Sequence, residues 1–229
     1  MNRDRQNWEK VKDVIAGSEG LSLGHYYSNM ALQDLKHIAF TLSRYKFVSK
    51  LLMYRERISV CELGCQEAVG AVMLQQNTDL QRYVGIDLDS ESIQWNRANL
   101  NGPFEFIEAN FFEHMPDEKF DAIISLDVIE HIQPEMEDAY CRLIADHLSN
   151  SDNSRGGAAF IGTPNVMLSP YACEASKVGH INLYDQKRLY DLCSRYFDNV
   201  FIFNMNDEVV NTGFAPMSCY IFAVCAGKK

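Results

Sequence analysis

No apolar run in this 229-residue sequence approaches the ~20 residues needed to cross a bilayer. The polar opening Met1-Asn2-Arg3-Asp4-Arg5-Gln6-Asn7 lacks the apolar core of a signal peptide. These absences predict a cytoplasmic protein without a membrane segment. Positive charge is also in short supply, with 21 Lys and Arg against 31 Asp and Glu and a formal net charge of −10. Nucleic-acid binding rests on many cationic contacts to phosphates, so no large nucleic-acid footprint is expected, although a local basic pocket stays open. The seven cysteines include no Cys-x-x-Cys pair, and several fall inside apolar strand or helix patterns, which predicts reduced and mostly buried thiols. Repeats and low-complexity segments are missing as well, and the length suits one domain with a substantial core.

The stretch that is there, and around which the rest is arranged, is Val60-Cys61-Glu62-Leu63-Gly64-Cys65-Gln66-Glu67-Ala68-Val69-Gly70. An apolar, β-branched run over 58–63 followed by helical spacing over 67–76 puts Gly64 in a strand-to-helix turn. Free amide groups at a helix start, beside a residue without Cβ, make such a turn a seat for anions and nucleotides. Asp87 ends the next apolar run, 23 residues past Gly64 (87 − 64). That is the spacing at which a carboxylate meets ribose hydroxyls beside a nucleotide-binding turn.

Ahead of this pattern lie a short helix over 8–15, a Gly-Ser-Glu-Gly breaker at 17–20, and an amphipathic stretch that predicts one long helix or two close ones over 29–55. From Ile58 onward strands and helices alternate. Strands are expected near 58–63, 83–87, 104–108, 120–126, 158–162, 199–204 and 217–225, with helices near 67–76, 90–100, 134–149 and 185–196. The last two strands have only residues 206–215 between them and are expected to pair as an antiparallel hairpin. Ser149 to Gly157 reads as a surface loop.

Glu62-Leu63-Gly64-Cys65 and Val84-Gly85-Ile86-Asp87 resemble the first two motifs of the class I S-adenosylmethionine-dependent methyltransferases, with Gln66 and Ala68 standing where that family often has glycine. The resemblance spans roughly 56–225. It implies an α/β, Rossmann-like fold: a seven-stranded, mostly parallel sheet with an antiparallel last strand, helices on both faces and an N-terminal helical cap. The cap would be residues 1–55, and the S-adenosylmethionine-binding domain residues 56–229. On the same resemblance, Glu62 fixes the turn or the methionine ammonium, Gly64 and Cys65 face the amino-acid part of the cofactor, and Asp87 takes the ribose. Asn110 meets the adenine amino group, and Leu88 and Phe111 flank the ring.

The fourth strand runs into Asp127-Val128-Ile129-Glu130-His131, and in an α/β sheet the segment past a strand's carboxyl end faces the ligand crevice. If a helical turn begins there, Asp127, Glu130 and His131 share one face. With Thr163-Pro164-Asn165 and Gly179-His180 downstream, this pattern resembles the ubiquinone-biosynthesis O-methyltransferases and the small-RNA 2′-O-methyltransferases. The resemblance implies Asp127, Glu130, His131 and His180 as ligands of a divalent cation, with Asp127 in place of the more usual Glu. Oxygen and imidazole donors suit manganese, iron or zinc better than magnesium alone. Asp127, His131 and His180 are the candidate catalytic groups, either histidine serving as general base without metal.

Substrate contacts are expected from the cap and the insert over 165–180, with Tyr26, Tyr27, Tyr171 and Lys177 as candidates. Ser169-Pro170-Tyr171, His180-Ile181-Asn182-Leu183 and Asn206-Asp207-Glu208 are similar to methyltransferases of bacterial polysaccharide and capsule loci, whose acceptors are sugars or small phosphorylated groups. The expected function is therefore O-methylation of a small polar acceptor, a sugar or surface-polysaccharide precursor, on a hydroxyl or phosphate oxygen. RNA 2′-O-methylation and a non-catalytic methyltransferase-like partner are the alternatives. Oligomeric state stays open.

Overall fold

Alternating β-branched runs and helical spacings build a single sheet covered on both faces. The computed structural model describes residues 3–15, 22–150 and 156–229; the breaker at 17–20 and most of the loop after Ser149 lie outside them. In chain order the elements are α1 (Arg3–Ile15), α2 (His25–Leu52), β1 (Ile58–Leu63), α3 (Val69–Asn77), β2 (Leu80–Asp87), α4 (Ser90–Asn99), β3 (Phe104–Glu108), β4 (Ala122–Leu126), α5 (Glu137–His147), β5 (Ala158–Pro164), α6 (Glu174–Gly179), α7 (Gln186–Cys193), β6 (Phe197–Asn206), β7 (Val209–Asn211) and β8 (Tyr220–Lys228). Short 3₁₀ turns occupy 129–131 and 166–171.

The strands lie in the order β3-β2-β1-β4-β5-β8-β6-β7. The first five are mutually parallel, and β8 runs antiparallel between β5 and β6. The expected seven strands become eight because the connection read as a loop over 206–215 contains β7, which pairs antiparallel with β6 at the sheet edge. Three residues are too few to show a period of two, so this edge strand leaves no pattern in the sequence.

One face of the sheet, with Leu63, Ile123 and Ile221, packs under Tyr140 and Ile144 of α5 and Leu189 and Leu192 of α7. The other, with Val60, Ile124 and Phe222, packs against Tyr45, Val48 and Leu52 of α2, Leu74 of α3 and Ile93 of α4. Phe47 of α2 sits 5.0 Å from Phe203 and 5.1 Å from Phe222, ring to ring. The long helical stretch expected before β1 is one run with a kink at Asp34, whose φ of −155° and ψ of 90° are not helical. Beyond the kink toward the N-terminus, Leu32 is exposed, as are the Trp8, Val11 and Val14 side chains of α1. Among the described residues no helix is long and apolar enough to cross a membrane.

Strand order reverses between β1 and β4, and a crevice opens at the carboxyl ends of adjacent strands at such a point. Close approach of α2 to α3 on one side of it depends on Gly70, where a Cβ would run into the Tyr45 ring. Gly70→Ala is expected to lower the unfolding free energy by about 1–3 kcal/mol from overpacking, although Ala is the better helix former by about 1 kcal/mol. Urea denaturation of Gly70→Ala, Tyr45→Leu and the double variant should show the Ala penalty largely gone once the ring is removed.

Candidate active site

The turn after β1 is built from left-handed residues. Gly64, Gln66 and Ala68 have φ of 74°, 44° and 43°. At Gly64 the space is also needed, since a Cβ there would stand 2.5 Å from Val128 Cγ2. At Gln66 and Ala68 the backbone keeps a conformation that favours glycine although the residues are not glycine. It is held from outside: Gln66 N donates to Asp87 Oδ2 at 2.7 Å, Asn96 Nδ2 donates to Gln66 O at 2.5 Å, and Gly64 N donates to Ile86 O at 2.8 Å.

Glu62 is fully buried beneath this turn, and its two oxygens accept from the hydroxyls of Tyr45, at 2.5 Å, and Tyr83. Cys65 points into the core against Gly85, so its thiol is a packing group. Asp87 is half-buried at the end of β2, and its second oxygen accepts from Asp89 N at 2.9 Å. Leu88 beside it is 71% exposed, while Phe111 is buried with Phe112 at 4.8 Å and Tyr140 at 6.3 Å. Asn110 closes a local turn, Oδ1 accepting from Phe112 N at 3.0 Å.

At the end of β4 the expected shared face divides. Asp127 has a left-handed φ of 57° and precedes the 3₁₀ turn, so it does not line up with Glu130 and His131. Its carboxylate instead forms an ion pair with Arg44 of α2, whose guanidinium lies 3.9 Å from the centroid of the Tyr220 ring. Glu130, His131 and His180 do come together, their ligand atoms all within 4.8 Å of one another. Glu130 is buried; Oε2 accepts from Thr163 Oγ1 at 3.0 Å and Oε1 has no hydrogen-bond partner. The two imidazoles are edge to face at 5.0 Å. His131 Nδ1 lies 2.9 Å from Gly179 O. A carbonyl can only accept, so Nδ1 carries the proton and Nε2 is left free as acceptor or ligand.

The segment bearing His180 is fixed by its neighbours. Ile181 N and Asn182 N donate to Glu130 O at 2.9 and 3.0 Å. Glu137 Oε2 accepts from Tyr184 Oη and Arg188 Nη2, both at 2.8 Å. Asn165, at the end of β5, donates to Ala215 O and Ser218 O at 3.1 and 3.0 Å and so ties the insert to the turn before β8. Of the aromatic candidates, Tyr27 is buried, while Tyr26 and Tyr171 are exposed. Lys177 pairs with Glu174 at 3.1 Å.

Burial raises the Glu130 carboxyl, and the nearby Asp127 charge adds to this. Burial, followed by the charge of His131, lowers His180, which keeps that ring neutral. Glu62 rises from 4.5 to about 7, because burial outweighs the two tyrosine hydrogen bonds.

Residues 61–145 match the model of the methyltransferase domain family, a stretch that begins in β1 and ends in α5. Over that stretch the chain resembles a methyltransferase domain, and its fold is that of S-adenosylmethionine-dependent methyltransferases. Similar solved structures include the N-methyltransferase NodS of Bradyrhizobium japonicum in complex with S-adenosyl-L-homocysteine, at 14% identity and a TM-score of 0.62, over 82% of this chain and 87% of that one. The methyltransferase domain of a bacterial Hen1 matches at 14% identity and a TM-score of 0.65, over 82% and 99%. A methyltransferase in complex with the Haloferax volcanii Trm112 activator matches at 12% identity and a TM-score of 0.65, over 91% and 100%. At these identities the likeness is one of fold. No curated protein matches the sequence.

Arg44 and Glu67 escape a reading by motif: they sit in stretches that look like an ordinary amphipathic helix and an ordinary turn, and only the tertiary fold brings one to Asp127 and the other to the start of α2. The Glu62 carboxyl carries a pH signature with a definite sign. Below 4.5 it is protonated in both the folded and unfolded chain; between 4.5 and about 7 only the unfolded chain ionises, so stability falls as pH rises through that window. Glu62→Gln is expected to remove roughly 1–3 kcal/mol of that fall, read from urea midpoints between pH 4.5 and 8.

Proposed function

We propose that the protein transfers the methyl group of S-adenosylmethionine to an oxygen of a small polar acceptor, a sugar or surface-polysaccharide precursor, beside a divalent cation held by Glu130, His131 and His180. The observation that carries this reading is the meeting of those three side chains at the carboxyl end of β4, with one buried Glu130 oxygen lacking any partner. A buried carboxylate oxygen without a hydrogen bond is costly, and coordination would satisfy it. The donor set fits a cation, since His131 presents Nε2 and His180 is kept neutral by burial. When bound there, manganese, iron or zinc lowers the pKa of an acceptor hydroxyl and fixes its direction.

The remaining roles fall to the chain. Asp87 accepts the ribose hydroxyls, Gly64 lets the amino-acid part of the cofactor approach the backbone, and Leu88 covers the adenine with its exposed side chain. Asp127 is left out of the cation set because Arg44 holds its carboxylate; its part is to fix that guanidinium over Tyr220 at the cap side of the crevice. With no cation bound, His131 or His180 takes the acceptor proton as the oxygen attacks the methyl in line.

Calorimetry of metal-stripped protein with S-adenosylmethionine and then manganese tests the reading. Both should bind the wild type, and His131→Ala and Glu130→Gln should weaken manganese by roughly 10–100-fold, on the scale of losing groups that hold a metal, while leaving cofactor binding in place. Manganese binding unchanged in both variants removes the cation, and no cofactor binding removes the reading altogether. With sugar nucleotides and a short single-stranded RNA as acceptors, S-adenosylhomocysteine release on the RNA alone would replace the sugar by an RNA 2′-hydroxyl.

A further inference from the structure

The helix α2 begins without a side-chain cap of its own: its N-cap is Gly24. The orphan amides of its first turn are met instead by Glu67, some 40 residues away in the chain. Glu67 Oε1 accepts from Tyr26 N at 2.6 Å and Oε2 from Tyr27 N at 2.9 Å. A carboxylate there is also favoured by the helix dipole. The fit is close, since a Cβ on Gly24 would collide with the Glu67 carboxylate, and Glu67 is only 4% exposed.

Glu67 belongs to the turn that receives the cofactor. Its neighbours Gln66 and Ala68 are the two left-handed non-glycine residues, and Gln66 N is bonded to Asp87 Oδ2. A continuous path therefore runs from Asp87, through the Gln66 amide and the Glu67 carboxylate, to the first turn of α2. That turn carries Tyr26, which lies within reach of the charges of Asp127 and Arg44. The Tyr26 side chain is 44% exposed, and its hydroxyl is raised by burial and then by the charge of Asp127. The kink at Asp34 separates residues 25–33 from the rest of α2; within this segment Tyr27 is anchored in the core with Met30 packed beside it, while Tyr26 and Leu32 face outward.

We infer that Glu67 is a positioning residue through which occupation of the cofactor turn orders residues 25–33 and sets Tyr26 against the acceptor side of the site. The inference rests on the proposed binding of S-adenosylmethionine. Fixing Asp87 and the Gln66 amide by a bound ribose restrains the one residue that caps α2. A plain cap would stabilise the helix equally with and without ligand; a coupling residue makes the helix respond to it.

Hydrogen exchange on the full chain, with and without S-adenosylhomocysteine, separates the two, with calorimetry alongside. In the wild type, amides of residues 25–33 should exchange at least ten times more slowly with ligand bound. In Glu67→Ala that response should fall below twofold while ligand affinity stays within about threefold, and Glu67→Gln, which keeps one acceptor oxygen, should recover part of it. A response of full size in Glu67→Ala overturns the inference, and so does ligand binding to wild type with no change over 25–33. Affinity lost more than tenfold in Glu67→Ala overturns it too, because Glu67 would then be a binding residue. Absence of binding to wild type is a different failure: it overturns the cofactor reading on which the inference stands. Unchanged exchange in β1 and β4 confirms that the variants are folded.

Discussion

The turn from Gly64 to Ala68 carries three left-handed residues in five positions, and only one of them is glycine. A left-handed residue with a Cβ costs on the order of 1–2 kcal/mol and persists only where the surroundings over-determine it. Here they do. Asp87 holds the Gln66 amide, Asn96 holds its carbonyl, and Ile86 holds the amides of Gly64 and Cys65. Each of these partners lies on β2 or α4, so the conformation of the turn depends on the packing of β1, β2 and α4 together. The shape of a glycine-rich turn is thus obtained with one glycine, by hydrogen bonds from neighbouring elements in place of conformational freedom.

Three buried glutamates surround that crevice in a chain of net charge −10, and their partners sort them. Glu62 accepts from two tyrosine hydroxyls and ties α2 and β2 to β1. Glu67 accepts from two backbone amides. Both carboxylates have a donor for each oxygen, which is what a structural role requires of a buried acid. Glu130 has one donor, Thr163, and one oxygen with none. An incompletely satisfied buried carboxylate beside two imidazoles is the arrangement expected of a group that completes its coordination with something from outside the chain.

The features most legible in the sequence are those set by local chemistry. β-branched runs and helical spacings placed β1 through β5 and α3 through α5 to within a few residues, because period and length are properties of the local chain. Gly64 and Asp87 stand out by their spacing and lie in the turn after β1 and at the end of β2, and His131 and His180, read from their position after a strand and before a helix, have rings 5.0 Å apart. What escaped depends on distant partners. The left-handed conformation at Asp127, which turns its carboxylate toward Arg44 and away from Glu130, has no local cause that a helical-face argument could detect. Asn110 and Phe111 fit a cofactor pattern by position, yet one closes a turn and the other packs against Tyr140. Strand β7 is too short to show a period.

The Arg44–Asp127 pair ties α2 to the carboxyl end of β4. Asp127 is partly open to solvent, and pairs of that kind contribute little to stability, with a median of about 0–1 kcal/mol. Its geometry matters more than its energy. The guanidinium is pinned between the Asp127 carboxylate from β4 and the Tyr220 ring from β8, while its own backbone belongs to the part of α2 buried on the sheet. One cation therefore joins three elements at the point where the strand order reverses. Asp127 is kept from the neighbouring imidazoles by the same contact. A negative group entering the crevice would meet Arg44 already oriented, at a smaller loss of side-chain freedom than a solvent-exposed lysine would incur. Arg44 thus carries the charge of α2 to the end of β4, from a helix whose first turn is held by Glu67 in the turn after β1.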